Sequence, residues 1–281
     1  MSKKRLLAVV AHPDDETFGM GGTLAYYARQ GVEVHLICAT RGEVGEVEPR
    51  MLEGFSSVGE LRENELCCAA DVLGLKKVHF LDYRDSGMPG SPENKHPRAL
   101  VLAPVDEAAM RIAKLIREIQ PQVLITFDPI GGYMHPDHIA IHQATVLAFD
   151  LAGNNSVVLD ELPPYKPAKL YFHIFPRGFL RIMVAIMPLA GKDPSKWGKN
   201  GDINLKAILA EKFPTHARIN YKKVAVIREK ASACHASQGG DRQSGYIVSW
   251  LLRLFSSNES YMRAYPPVIN GRVEKDLFEG L

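Results

Sequence analysis

The sequence predicts an α/β protein built on a Rossmann-like, mostly parallel sheet flanked by helices, with an elaborated C-terminal part. Three observations predict it. Short runs rich in Val, Ile and Leu recur through the first half, each is followed by a longer stretch of helical periodicity, and the helical stretches stop at glycine or proline. Such alternation makes βαβ units, whose right-handed crossovers build a parallel sheet covered on both faces.

The strands are expected at 6–10, 32–39, 78–81 and 123–127, because these runs are apolar throughout rather than alternating, as strands buried on both faces are. Helices are expected at 17–30, ending at Gly31, at 58–73, ending at Gly74, and at 104–120, ending at Pro121. Glycine and proline are the ordinary helix stops. After about Asp150 the pattern loosens around Pro163, Pro164 and Pro167, before a strand-like run at 170–174. Residues 177–212 mix an apolar run with Gly-rich and charged turns, which suits a lid or an interface better than a second core. Helix signals return at 222–237, where Val224, Ile227, Ala231 and Cys234 share a face. The expected organisation is a catalytic core over 1–155 and an extension over 156–281 that supplies a lid, a substrate wall and closing helices, all within one integrated domain.

Composition narrows the function. Hydrophobic residues at 46% and charged residues at 23% are ordinary globular usage. A formal charge of +2 with no basic block argues against a nucleic-acid partner. The basic start followed by an apolar run is interrupted by His12, Pro13 and Asp14, too early for a signal peptide, and the apolar stretch 179–189 is too short to span a bilayer. A cytoplasmic protein acting on a small molecule is expected, with a homo-oligomer left open. Cys38, Cys67, Cys68 and Cys234 show no CxxC spacing, and an adjacent pair makes a poor disulfide; reduced, buried thiols are the expectation.

Chemistry concentrates in two segments. Ala-His-Pro-Asp-Asp-Glu at 11–16 follows the first strand, and Asp128 to His138 follows the strand ending at Phe127. In open parallel sheets ligands bind at the carboxyl ends of strands, so both segments face the expected crevice. Pro13 restrains His12 and fixes the turn. Asp14 or Asp15 could serve only as a helix cap, but one capping Asp leaves two groups unexplained. Gly19-Met20-Gly21-Gly22 lacks the dinucleotide GxGxxG spacing. Catalytic zinc takes mixed His and carboxylate ligands and keeps a position open for water. His12, Asp15 and His138 could supply that set, with Asp14 as the non-ligand proton acceptor and His135 left to stabilise an oxyanion. The chemical rival for two His and one carboxylate is a non-haem Fe(II) oxygenase site, which the α/β pattern disfavours.

These residues resemble the LmbE/PIG-L N-deacetylases, whose signatures are A-H-P-D-D-E and a later H-P-D-H; both are intact here. The blocks Ala39 to Glu43 with Gly45-Glu46, Gly59 to Glu63, and Arg84 to Met88 are similar to the family's intervening segments, so the resemblance runs over 6–150 and resumes at His235-Ala-Ser-Gln238 and Glu259-Ser-Tyr261. It implies one Zn2+ per chain on His12, Asp15 and His138, with Fe2+ or another divalent ion as alternatives. It also implies Asp14 as general base, His135 steadying the tetrahedral intermediate, and removal of an N-acetyl group from an N-acetylglucosamine-type conjugate. A larger-amide amidase or a non-catalytic sugar-binding relative are the alternatives. By likeness to the family's mycothiol-pathway members, Arg62 and Asp85 would contact sugar hydroxyls and Tyr133 would assist at the oxyanion or leaving nitrogen. Arg62 could equally be a solvated helix ion pair and Asp85 a turn residue. His96 and His142 are read as surface or core residues, and His235, which could line the site, as a helix histidine packed on the core.

Overall fold

A computed structural model of the protein describes residues 3–175, 177–198, 201, 203–240, 257–269 and 271–281. Seven strands form one sheet in the order β3-β2-β1-β4-β5-β7-β6. Strands β1 (Arg5–Val10), β2 (Glu33–Thr40), β3 (Lys77–Tyr83), β4 (Val123–Phe127) and β5 (Lys169–Ile174) are parallel, and helices α1 (Asp15–Arg29), α2 (Val58–Leu73), α3 (Val105–Ile119) and α5 (Pro136–Gly153) lie between them. The chain runs outward from β1 through β2 to β3, then returns to lay β4 on the other side of β1. That reversal is a topological switch point, where open α/β sheets bind ligands beyond the strands' carboxyl ends.

Local chemistry accounts for these elements. All five residues of β4 are buried, as a strand covered on both faces requires. Ser57 caps α2 by accepting the Glu60 amide, and Gly74 ends it in the left-handed conformation at φ 78°. Helix α1 breaks at Met20, where φ is −134°. The amides of Gly22 and Thr23 beyond the break donate to the buried Glu259 carboxylate at 2.9 and 2.7 Å. Gly22 is obligatory here, since a Cβ would lie 2.2 Å from the Tyr221 ring.

The second half departs from expectation in three ways. Residues 177–212 are more regular than their mixed pattern predicts, holding α6 (Arg177–Ile186) and α7 (Leu205–Ala210). Met187, Leu205 and Ile208 make a small apolar cluster there, packed against Ile130, Tyr133 and Met134. Pro176 just before that stretch, and Lys199, Asn200 and Asp202 within it, lie outside the described residues. Two further strands extend the sheet: β7 (Asn258–Tyr265) lies antiparallel to β5, and β6 (Ala217–Asn220) lies antiparallel to β7 at the edge. The expected helix at 222–237 is a 3-10 turn leading into α8 (Ala225–Cys234).

The cysteine expectation is corrected. Cys68 on α2 and Cys234 at the end of α8 form a disulfide, with Cα atoms 5.8 Å apart across a sequence separation of 166. Packing of α8 on α2 brings them together, which no local spacing could announce. Cys38 is free and buried, and Cys67 is free but exposed. Among the described residues no helix is long and apolar enough to cross a membrane.

Candidate active site

Both motif segments meet at the switch point, one leaving β1 and the other β4. After β1, the Asp15 carboxylate folds back to accept the His12 amide at 2.7 Å. Asp14 occupies the N-cap position of α1 but makes no side-chain capping bond, and its backbone sits at φ 114°. That conformation costs a non-glycine residue on the order of 1–3 kcal/mol and persists only where surrounding contacts impose it. Two contacts do so: the Asp14 amide donates to Glu16 Oε2 at 2.9 Å, and the carboxylate accepts from Arg62 Nη2 at 3.1 Å. The capping alternative therefore fails for Asp14.

His12 Nδ1, His138 Nε2 and the two oxygens of Asp15 form a tight triangle. The nitrogens are 3.3 Å apart, His138 Nε2 is 3.2 Å from Asp15 Oδ1, and His12 Nδ1 is 3.5 Å from Asp15 Oδ2. A tetrahedral ion with nitrogen and oxygen ligands at about 2.0–2.1 Å separates its ligand atoms by about 3.3–3.4 Å. The donor set fits such an ion. Each imidazole is also turned for the task by its other nitrogen. His138 Nδ1 lies 3.2 Å from the Gly131 carbonyl, and His12 Nε2 lies 3.0 Å from Asp137 Oδ2. Both partners are acceptors, so a proton held on each of those nitrogens would leave the facing nitrogens free to bind an ion. Gly131 permits the approach, because a Cβ at its φ of 64° would lie 2.7 Å from the His138 Cβ.

Electrostatics favour a cation here. Burial works against a charged His12, but the carboxylates of Asp85, Asp137 and Asp15 overcome it and hold the ring well above its ordinary value. Burial likewise opposes a charged Asp15, yet His138 and His12 hold its carboxyl well below the usual range. Two other triples come close enough to hold an ion: His12 with His135 and His138, and His12 with Asp85 and Asp137. The first would need His135, whose Nδ1 already caps α5 by accepting the Asp137 amide at 3.2 Å. The second lies on the His12 nitrogen that is hydrogen-bonded to Asp137.

That cap fixes the His135 tautomer, leaving Nε2 with the proton. Burial, reinforced by His12 and His138, pushes His135 down to about 2, so it is a neutral N–H donor. Asp14 moves the other way: burial lifts its carboxyl to about 6, with Arg62 opposing and Asp15 assisting the shift. Tyr133, in the kinked turn α4 (Gly131–Met134), meets His138 edge-on with ring centroids 4.9 Å apart, and burial keeps its phenol protonated. The ring of Phe127 stacks flat on His138 at 4.0 Å.

Arg62 is neither solvated nor paired with neighbouring glutamates. It is buried, with Nη1 donating to the Gly42 carbonyl at 2.9 Å and Nη2 to the Pro13 carbonyl at 2.6 Å as well as to Asp14. Its guanidinium braces the motif turn. Asp85 makes the turn contact, its Oδ1 accepting the Gly87 amide at 2.8 Å, and the same oxygen lies 3.4 Å from His12 Nε2. His142 is buried, with Nδ1 2.8 Å from the Phe127 carbonyl, while His96 lies away from the site. Three further residues border the site: Asp137 and Glu16, to which the sequence reading gives no role, and His235, which it reads as a core histidine. Asp137 orients His12 and accepts the Ser86 amide at 2.9 Å. Glu16 and His235 are joined at 2.7 Å beneath Asp14. The signal for two of these lay in the motifs themselves, since Asp137 and Glu16 are letters of H-P-D-H and A-H-P-D-D-E.

Comparison with known proteins gives a consistent picture. Residues 7–149 match the family described as GlcNAc-PI de-N-acetylase (PIG-L). A protein of Streptomyces scabiei named 1D-myo-inositol 2-acetamido-2-deoxy-alpha-D-glucopyranoside deacetylase is 44% identical over 292 residues, covering 99% of this chain and 90% of its own length. Among solved structures, an N,N'-diacetylchitobiose deacetylase from Pyrococcus horikoshii superposes with a TM-score of 0.62 at 20% identity, covering 93% of this chain and 84% of that one. A 4-carboxy-2-hydroxymuconate hydratase from Pseudomonas putida gives 0.61 at 19% identity, covering 95% and 98%. At those identities the structural likeness shows the fold alone.

Proposed function

This chain belongs to the PIG-L (GlcNAc-PI de-N-acetylase) family, and on that premise we propose that it is a zinc-dependent hydrolase that removes the acetyl group from an N-acetylglucosamine-type conjugate, releasing acetate and a free amine. The observation that carries the reading is one non-ligand carboxylate, Asp14, beside a triangle of donor atoms at 3.2 to 3.5 Å. The full-length similarity to a deacetylase of an inositol-linked acetamido sugar supports the substrate class.

His12, Asp15 and His138 would hold the ion. When bound, a divalent ion there supplies Lewis acidity, bringing the pKa of a water toward neutrality and polarising a carbonyl oxygen. The rest falls to the chain. Asp14, lifted to about 6, is a carboxylate at neutral pH with enough basicity to take the proton of the attacking water. The water oxygen bonds to the acetamide carbon as the carbonyl π bond opens, and the Nε2–H of neutral His135 stabilises the oxygen that gains charge. When the C–N bond breaks, Asp14 returns its proton to the leaving nitrogen, so amide and water become acetate and amine. Tyr133 assists at the oxyanion or leaving nitrogen. Asp85 and Arg62 lie at the sugar side, Arg62 chiefly by holding Asp14.

In this reading residues 1–155 are the catalytic core, and 156–281 form its substrate wall within one integrated domain. We place the protein in the cytoplasm; the Cys68–Cys234 disulfide weighs against that, since such bonds persist in oxidising compartments. The decisive assay offers the purified protein 1D-myo-inositol 2-acetamido-2-deoxy-α-D-glucopyranoside and a panel of other acetamido sugars. Acetate and amine should appear in equal amounts, cease after chelation and return with zinc. Cleavage of larger amides with no acetate from any acetamido sugar would replace this reading with an amidase.

A further inference from the structure

We propose that Glu16 and His235 are positioning residues that fix the backbone of Asp14, and thereby the direction of the proposed base. His235 Nε2 and Glu16 Oε1 are 2.7 Å apart, and both side chains are wholly buried. The other oxygen of Glu16 accepts the Asp14 amide at 2.9 Å. A line of hydrogen bonds thus runs from α8 to the one residue of the motif turn whose φ, at 114°, lies far from what an aspartate adopts freely.

The pair has no evident purpose in stability. A buried ion pair is often no more stable than apolar residues of the same volume, so its retention calls for a geometric use. Helix α2 supplies the frame for that use. Arg62, Glu65 and Cys68 stand at i, i+3 and i+6, roughly along one face of the helix. Arg62 donates to the Asp14 carboxylate at 3.1 Å, Glu65 accepts the Ser237 amide and hydroxyl at 2.7 Å each, and Cys68 is bonded to Cys234. His235 is therefore clamped on both sides in sequence by the helix that also holds the base. One contact grips the Asp14 carboxylate and the other its amide, and with both in place the carboxylate has a single direction. Without the Glu16 contact the turn can relax toward negative φ and swing the carboxylate away. Displacements on the order of 1 Å in such groups cost about 100-fold in rate.

This inference rests on the reading of Asp14 as proton acceptor, so its test has an arm that needs no turnover. Amide hydrogen exchange at Asp14 is compared in wild type, His235→Leu and His235→Gln, the glutamine amide being able to donate to Glu16. With one metal ion per chain retained, His235→Leu should speed exchange at Asp14 at least tenfold while amides of β1 and β4 keep their protection. Its kcat should fall about 10–100-fold with KM within about twofold, and His235→Gln should recover most of both. Should His235→Leu fail to fold, His235→Asn, too short to reach Glu16, replaces it. Unchanged exchange at Asp14 would overturn the proposal, as would exchange rising throughout the sheet in step with lost activity and no rescue by glutamine. A wild type that releases no acetate would instead strike at the deacetylase reading, leaving the exchange result to judge the positioning role.

Discussion

The two halves of the molecule contribute to the site in different currencies. Every proposed ligand and acid–base group, from His12 to His138, comes from the first half, on the loops and first helical turns that follow β1 and β4. The second half reaches the same region through long-range restraints. Glu259 takes the amides at the break in α1, His235 holds Glu16, and Asp276 accepts the Tyr27 hydroxyl at 2.8 Å. Reactive chemistry can be written in local motifs because a strand end and a restrained loop suffice to aim a side chain. Holding that aim steady takes contacts more than 200 residues apart in the chain, such as Glu16 to His235 at a separation of 219.

The largest effect that sharpens this contrast should come from Asp14→Asn. Asparagine tolerates positive φ better than alanine, so the turn survives while the proton acceptor is lost. General acid–base groups contribute about 100- to 10,000-fold to rate, and kcat should fall within that range with metal content and thermal midpoint close to wild type. Activity above a tenth of wild type would remove Asp14 from the proposed role.

The opposite signature is expected from Cys234→Ser, which acts in the second half and on stability. The bond closes a loop of about 166 residues, for which chain-entropy arguments give an upper figure of about 5 kcal/mol, with about 2–4 kcal/mol typical of measured cases. Guanidinium unfolding of the variant, and of wild type under reductant, should show the same loss. Equal midpoints with and without reductant would mean that this crosslink does not constrain the unfolded chain.

The contrast also explains what could be read in advance. Strands β1 to β4 and helices α1 to α3 were legible because continuous apolar runs and glycine stops are local signals; α2 was placed end to end, from Val58 to Leu73. The meeting of His12, Asp15 and His138 was legible for a topological reason, since both loops had to follow neighbouring strands at a switch point. Strand β7 was not legible. Glu259 and Ser260, on opposite faces of the strand, are both buried polar residues, so no hydrophobic period marks it. The ion-pair alternative for Arg62 fails although its helix has ample glutamate, because its partners are the Pro13 and Gly42 carbonyls and Asp14, 20 to 49 residues away. The Cys68–Cys234 pairing was hidden for the same cause.

The smallest expected effect is a pH dependence, and it bears on the same long-range contact. Burial disfavours a charged His235, but Glu16 at 2.7 Å, with Asp14 and Glu65 behind it, overcomes burial and raises the ring above its ordinary value. The folded protein therefore binds this proton more tightly than the unfolded chain. The resulting stabilisation is fully present below the unfolded value, near 6.5, and is lost as pH rises through the higher folded value. Stability measured by guanidinium midpoints from pH 6 to pH 9 should carry a downward component in wild type that is missing from His235→Gln. Comparing the two proteins cancels the titrations they share, so identical slopes would mean that His235 is neutral in the fold and holds Glu16 through a neutral hydrogen bond alone.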